Sequence, residues 1–118
     1  MKKVILAMSL LLCTSYAKAQ IVTLNKDRVE VRNEQGSYVT SRSVSGLKDA
    51  IGGNGFVVFW YENGRVESRD MEQLNLISSR SFSDVKTVRA SGKNIVVQYT
   101  NGRTEILDPK LNRISSRI

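Results

Sequence analysis

Histidine is absent from this chain of 118 residues, and cysteine and proline occur once each. Without histidine or a second cysteine there can be no Ser-His-Asp or Cys-His catalytic arrangement, no zinc site built on those ligands and no intrachain disulfide. Paired carboxylates could serve glycoside hydrolysis, but the acidic residues that stand out are copies of one another in a repeat, which does not suit an asymmetric acid/base pair. No loop has calcium-ligand spacing, and no glycine-rich phosphate loop leads into a helix. The expectation is a non-enzyme without cofactor or metal. No apolar run approaches the roughly 20 residues of a membrane-spanning helix. The longest, residues 4–13, has ten residues and is interrupted by Ser9.

That run has another meaning. Met1-Lys2-Lys3 precedes it, and Ala17-Lys18-Ala19, a small-x-small site, stands before Gln20. This is the order of a secretory signal peptide of bacterial type, which predicts cleavage after Ala19 and an exported protein, secreted or periplasmic. A lipoprotein anchored through Cys13 is disfavoured because Leu12 is not the small residue a lipobox needs. Without Lys2, Lys3 and Lys18 the remaining 99 residues carry 15 basic and 11 acidic side chains, a net charge of +4. The surplus is modest and dispersed, which argues against nucleic acid as partner and permits weak attraction to an acidic cell-surface polymer.

The dominant feature is a repeat. Tyr61/Tyr99, Asn63/Asn101, Gly64/Gly102, Arg65/Arg103, Glu67/Glu105 and Asp70/Asp108 are each 38 positions apart, and Ile77-Ser-Ser-Arg80 recurs as Ile114-Ser-Ser-Arg117 at 37. A weaker copy lies upstream, where Arg28-Val-Glu30 aligns with Arg65-Val-Glu67 and Val39-Thr-Ser-Arg42 with Ile77 to Arg80. The expected domain is therefore residues 20–118, with a partial repeat at about 20–42 and full repeats at 43–80 and 81–118.

Each repeat reads as β. Asn63-Gly64 and Asn101-Gly102, flanked by Val, Ile, Phe and Tyr, signal hairpins, with Lys26-Asp27 in the same place upstream. A further strand follows at about 37–44, 76–83 and 113–118. Residues 47–51 and 85–90 fit either a strand or a helical turn. A two-residue turn at Asn63-Gly64 would place Val57, Phe59, Tyr61 and Val66 on one face and Trp60, Glu62, Arg65 and Glu67 on the other. The same register puts Ile95, Val97, Tyr99 and Ile106 opposite Gln98, Thr100, Arg103 and Glu105. In the first hairpin it sets Val22, Leu24, Val29 and Val31 against Thr23, Asn25, Arg28 and Glu30. The apolar faces need neighbours to cover them.

The polar faces supply the candidate site. Trp60, Arg65, Glu67, Gln98, Arg103 and Glu105 would form a repeated surface in which Trp60 stacks on a sugar and the Arg-x-Glu pairs exchange hydrogen bonds with hydroxyls. The same surface would serve as a protein-docking patch, since Trp and Arg are enriched in hot spots, or as a merely solvated ladder of ion pairs. The expected function is recognition of envelope or host glycans. The alternative is a structural or protein-interaction subunit of an oligomer or envelope assembly.

Val85-x-x-Val88, Ser91-Gly92, Ile95-Val-Val and Asn101-Gly102-Arg-Thr-Glu-Ile-Leu-Asp108 resemble WD-type β-propeller blades, and the resemblance covers residues 43–118. It lacks the Gly-His and Trp-Asp hallmarks; Leu107 stands where the Trp would be. The resemblance implies an all-β fold of blade-like hairpin repeats, a partial propeller, with a compact β-sheet or barrel as the other outcome. Because propellers hold four to eight blades, it also implies homo-oligomerisation as one route to a closed ring.

Overall fold

The protein is described by a computed structural model covering residues 20–117. The expected signal peptide and its cleavage site lie outside the described residues. Eleven strands follow one another: β1 (Gln20–Asn25), β2 (Arg28–Asn33), β3 (Tyr38–Ser43), β4 (Leu47–Gly52), β5 (Phe56–Tyr61), β6 (Arg65–Asp70), β7 (Leu76–Ser81), β8 (Val85–Ser91), β9 (Asn94–Tyr99), β10 (Thr104–Leu107) and β11 (Arg113–Arg117). They form three antiparallel sheets, β1-β2-β3, β4-β5-β6-β7 and β8-β9-β10-β11. Residues 47–51 and 85–90, open between strand and helical turn in the sequence, belong to β4 and β8.

Side chains explain the loops that follow β2, β6 and β10. Asn33, Asp70 and Asp108 occupy equivalent positions, and their carboxamide or carboxylate oxygens accept backbone N–H groups from the following turn. The donors are Gln35 and Ser37 (3.0 and 2.9 Å), Gln73 and Leu74 (2.7 and 3.0 Å), and Lys110 and Asn112 (2.9 Å each). This is the side-chain-capped turn that Asn and Asp favour. Leu74 and Leu111 are buried within two of these turns in the left-handed region, at φ 60° and 66°.

The sheets stack in sequence order. The first lays Val29 and Val31, with Val22 and Leu24, against Val57, Phe59 and Tyr61 of the second. The opposite face of the second sheet, with Phe56, Val58, Trp60 and Val66, packs on Ile95, Val97, Tyr99 and Leu107 of the third. The second sheet is thus covered on both sides, and residues 56–60 of β5 are buried without interruption, as expected of a strand with no solvent face.

The two outermost faces differ from the seams between them. Where the second sheet offers Phe59 and Tyr61, the first offers Thr23 and Asn25 to solvent. Where the second sheet offers Phe56, Trp60 and Val66, the third offers Asn94, Gln98 and Thr104. Val96 and Ile106 share that face of the third sheet with them.

Candidate functional site

The register of the second and third hairpins differs from the sequence expectation by one residue. Phe59 pairs with Glu67 and Trp60 with Val66; Val97 pairs with Glu105 and Val96 with Ile106. The loops contain three residues, Glu62-Asn63-Gly64 and Thr100-Asn101-Gly102. The amides of Gly64 and Gly102 bond back to the carbonyls of Tyr61 and Tyr99 at 3.0 Å. Only the glycine of each loop is left-handed, at φ 94° and 93°, whereas a two-residue type I′ turn needs positive φ at both Asn and Gly. Asn63 and Asn101 instead accept the amides of Arg65 and Arg103 through their side chains at 3.0 and 2.9 Å. The first hairpin keeps the two-residue loop, Lys26-Asp27, with Asn25 paired to Arg28 and the expected faces intact. In structural terms the counterpart of Trp60 is therefore Leu24.

One residue of slip moves every side chain of a strand to its other face. Glu67 and Glu105, expected on a solvated polar face, are 1% and 2% exposed. Val66, expected beside Tyr61, shares the face of Trp60 instead, and Ile106 shares that of Val96. Trp60, expected as an open platform, is 8% exposed, packed in the seam between the second and third sheets. Its remaining opening is roofed by the Lys48 ammonium, 4.5 Å from the ring centroid. Lys48 is placed there by a bulge in β4 between Leu47 and Asp49. Gln98 lies on the outer face of the third sheet, where its side-chain oxygen accepts a bond from Thr87 Oγ1 at 2.8 Å. The six expected site residues do not share one face. Trp60 lies in the second seam, Arg65 and Glu67 border the first, Arg103 and Glu105 border the second, and Gln98 faces outward.

The structure builds two repeated buried clusters in their place. Glu67 accepts the Tyr61 hydroxyl at 2.8 Å and two bonds from Arg69, Nε at 3.0 Å and Nη2 at 2.8 Å, while Arg65 Nη2 bonds its other oxygen. Glu105 accepts the Tyr99 hydroxyl at 2.6 Å and Arg103 Nη2 at 2.5 Å, with Arg113 at 3.8 Å. Arg65 and Arg103 also lie over the rings of Tyr61 and Tyr99, at 5.2 and 5.1 Å. Burial alone would push both carboxyl groups up. The hydrogen bonds from tyrosine and arginine, with the arginine charges, outweigh it and hold both below the ordinary 4.5. The tyrosines move the other way. Burial and the bonds to the carboxylates raise Tyr61, and push Tyr99 up to about 12. In the first sheet Asn25 stands in place of the tyrosine. Glu30 keeps a single ion pair with Arg32 at 2.9 Å, and its side chain is 28% exposed.

Each carboxylate accepts from a tyrosine hydroxyl and from arginine. Tyr61, Tyr99 and Arg69 were not among the sequence candidates. The signal for the tyrosines was present, because Tyr-x3-Arg-x-Glu recurs in the two full repeats and is missing from the partial one. A cavity of about 280 Å³ opens at the second seam beside the Glu62-Asn63-Gly64 loop. Lys48, Trp60, Glu62, Phe82 and Asp84 line it. Its mixture of one cation and two carboxylates sets no clear ligand charge. Among the described residues no cluster of acidic side chains could hold a metal ion, and no helix is long and apolar enough to cross a membrane.

What remains open to a partner is the rim. β3, β7 and β11 each form the edge of their sheet, and exposed apolar side chains recur on them: Tyr38, Leu76, Ile77 and Ile114. Arg28, Arg65 and Arg103 reach across to these strands and bond Ser41, Ser79 and Ser116 at 2.9, 3.2 and 3.2 Å.

The chain matches no protein family and no curated protein. In solved structures its architecture is similar to β-propellers. BamB from Moraxella catarrhalis superposes with a TM-score of 0.60 at 13% identity, over 83% of this chain and 33% of that one. The WD40 domain of Toxoplasma gondii coronin gives 0.59 at 13% identity over 83% and 30%, and the N-terminal domain of Nup159 gives 0.55 at 14% over 85% and 30%. A further match is a Saccharomyces cerevisiae assembly with Dbp5 bound to Nup159, at 0.57 and 14%. The chain spans about a third of the length of these structures. The blade resemblance read from the sequence holds: the three sheets are consecutive propeller-like blades.

Proposed function

We propose that the protein is an exported, non-enzymatic interaction module that binds another protein through the outer strands of its blades. The observation that carries this reading is the rim, where exposed apolar residues repeat at equivalent positions of unpaired strands while the buried charge is held in closed clusters. Exposed apolar groups in this setting mark interaction surfaces. The solved structure with Dbp5 bound to Nup159 lends the reading a parallel among similar folds. Glycan recognition loses its platform, because the face of Trp60 is already occupied by Lys48 and the second seam.

Site-specific photo-crosslinking in the producing cell tests the module. A crosslinker at Ile77 or Ile114 is expected to capture one discrete, identifiable protein that a crosslinker at Lys93, in the β8–β9 turn, does not. Absence of any adduct from the outer strands overturns the proposal. Export is checked in the same cells by sequencing the mature N-terminus, expected to begin at Gln20; retention of residues 1–19 contradicts it.

A further inference from the structure

β7 differs from the other two rim strands in what supports it. Its sheet is covered on both faces by the first and third. Among the described residues only β6 pairs with it, so its other side presents backbone donors and acceptors unpaired within them, a template for an added strand. Its sequence, LISSRS, contains neither proline nor lysine, residues that commonly blunt such edges, and five of its six residues are exposed.

Charge selects the kind of strand. None of β3, β7 and β11 has an acidic residue, and together they expose Arg42, Arg80, Arg113 and Arg117. At β7 the positive charge reaches both faces of the edge. Ser79 pairs with Glu67 and Arg80 with Val66, so their side chains point to opposite faces. Arg80 supplies the cation on one face, its Nη1 also donating to the Leu111 carbonyl at 3.2 Å and its guanidinium lying over the Phe82 ring at 4.8 Å. On the other the Arg65 guanidinium lies over the strand, its Nε 3.2 Å from Ser79 Oγ. Arg65 and Arg69 share the single carboxylate of Glu67, which leaves that cluster one positive charge in excess. Ile77 is exposed between these cations and the end of the strand.

We infer that β7 accepts an extended acidic segment of a partner protein, which adds to the second sheet as a further antiparallel or parallel strand. Main-chain bonds would give affinity. Acidic side chains would meet Arg80 on one face and Arg65 on the other, and an apolar residue would cover Ile77. The inference rests on the interaction reading above and names the partner's chemistry.

The test selects short peptides randomised over Asp, Glu, Lys, Arg, Ser, Thr, Val and Ile against the mature protein. Binders are then followed by amide hydrogen exchange. Enrichment of Asp or Glu among Val, Ile and Thr is expected, with slowed exchange at residues 76–81 in the bound state. Methylating alternate backbone nitrogens of the peptide should abolish binding in one of the two phases. Arg80→Glu should weaken an acidic binder about fivefold and strengthen its Lys-substituted copy, a reversal that a folding defect cannot produce. No enrichment, enrichment of basic peptides, or binding without slowed exchange in β7 overturns the inference. A crosslink from Ile77 in cells together with any of those results leaves the interaction module standing and removes only strand addition.

Discussion

The first hairpin and the two that follow have the same Arg-x-Glu motif. Glu30 nevertheless lies at the surface, whereas Glu67 and Glu105 lie inside. The first hairpin closes with two loop residues and pairs Asn25 with Arg28; the others close with three and end on a left-handed glycine. That one-residue difference turns Glu67 and Glu105 toward Tyr61 and Tyr99. It also turns Val66 toward the second seam, which gives the middle blade an apolar second face. Glu30 shares the face of Asn25 just as Glu67 shares that of Tyr61, but the first sheet turns this face to solvent and the second packs it against the first. Burial in turn makes the cluster sensitive to losing one member.

The comparison can be broken most severely at the glutamates. Glu67→Ala leaves Arg69 and Tyr61 without their acceptor and is expected to destabilise by about 3–5 kcal/mol. Glu30→Ala should stay within about 0–1 kcal/mol. Denaturant unfolding of both variants measures this, and equal effects would mean that the two sites are not different. The glycines come next. Gly102→Ala meets no neighbouring atom and should cost only the left-handed strain, about 1–2 kcal/mol. Gly64→Ala would set its Cβ against the Phe82 carbonyl oxygen, so its loss should be about twice as large. Tyr61→Phe and Tyr99→Phe each remove one donor from a buried carboxylate and should cost about 1–2 kcal/mol by the same measurement.

The smallest effects lie in the pH dependence. Glu67 and Glu105 are held below the ordinary 4.5 when folded, so their stabilisation is complete above that value and is lost as pH falls through the folded one. Thermal unfolding of the wild type should weaken in that acidic window, and Glu105→Gln should flatten the slope. At the alkaline end Tyr99 is raised from 10.0 to about 12. Stability should fall as pH rises from 10 toward 12, and Tyr99→Phe should reduce that fall; an unchanged alkaline slope would contradict the Tyr99–Glu105 bond.

Much of the fold was legible in the residues. Asn-Gly pairs, β-branched flanks and the spacing of 37 to 38 located the hairpins, the repeats and the outer strands, and the blade resemblance pointed to the right architecture. The site was misread at a definite point. Glu62-Asn63-Gly64 serves as well for a three-residue loop, with glycine at its left-handed end, as Asn63-Gly64 does for a two-residue one. Hairpin sequence alone does not choose between them; packing does. The deciding signal was the uninterrupted run Phe56-Val-Val-Phe-Trp-Tyr61, which marks a strand buried on both faces rather than an alternating one. Its counterpart Gln20-Ile-Val-Thr-Leu-Asn25 alternates, and there the two-residue register holds. The strand nature of β4 was hidden because its bulge at Lys48 breaks the alternation that would have shown it.

The register itself is the most direct test. Cross-strand nuclear Overhauser contacts on the mature protein should connect Phe59 with Glu67, Val97 with Glu105 and Thr23 with Glu30. Contacts of Phe59 with Ser68 and of Val97 with Ile106 would return both glutamates to the surface and contradict the buried clusters.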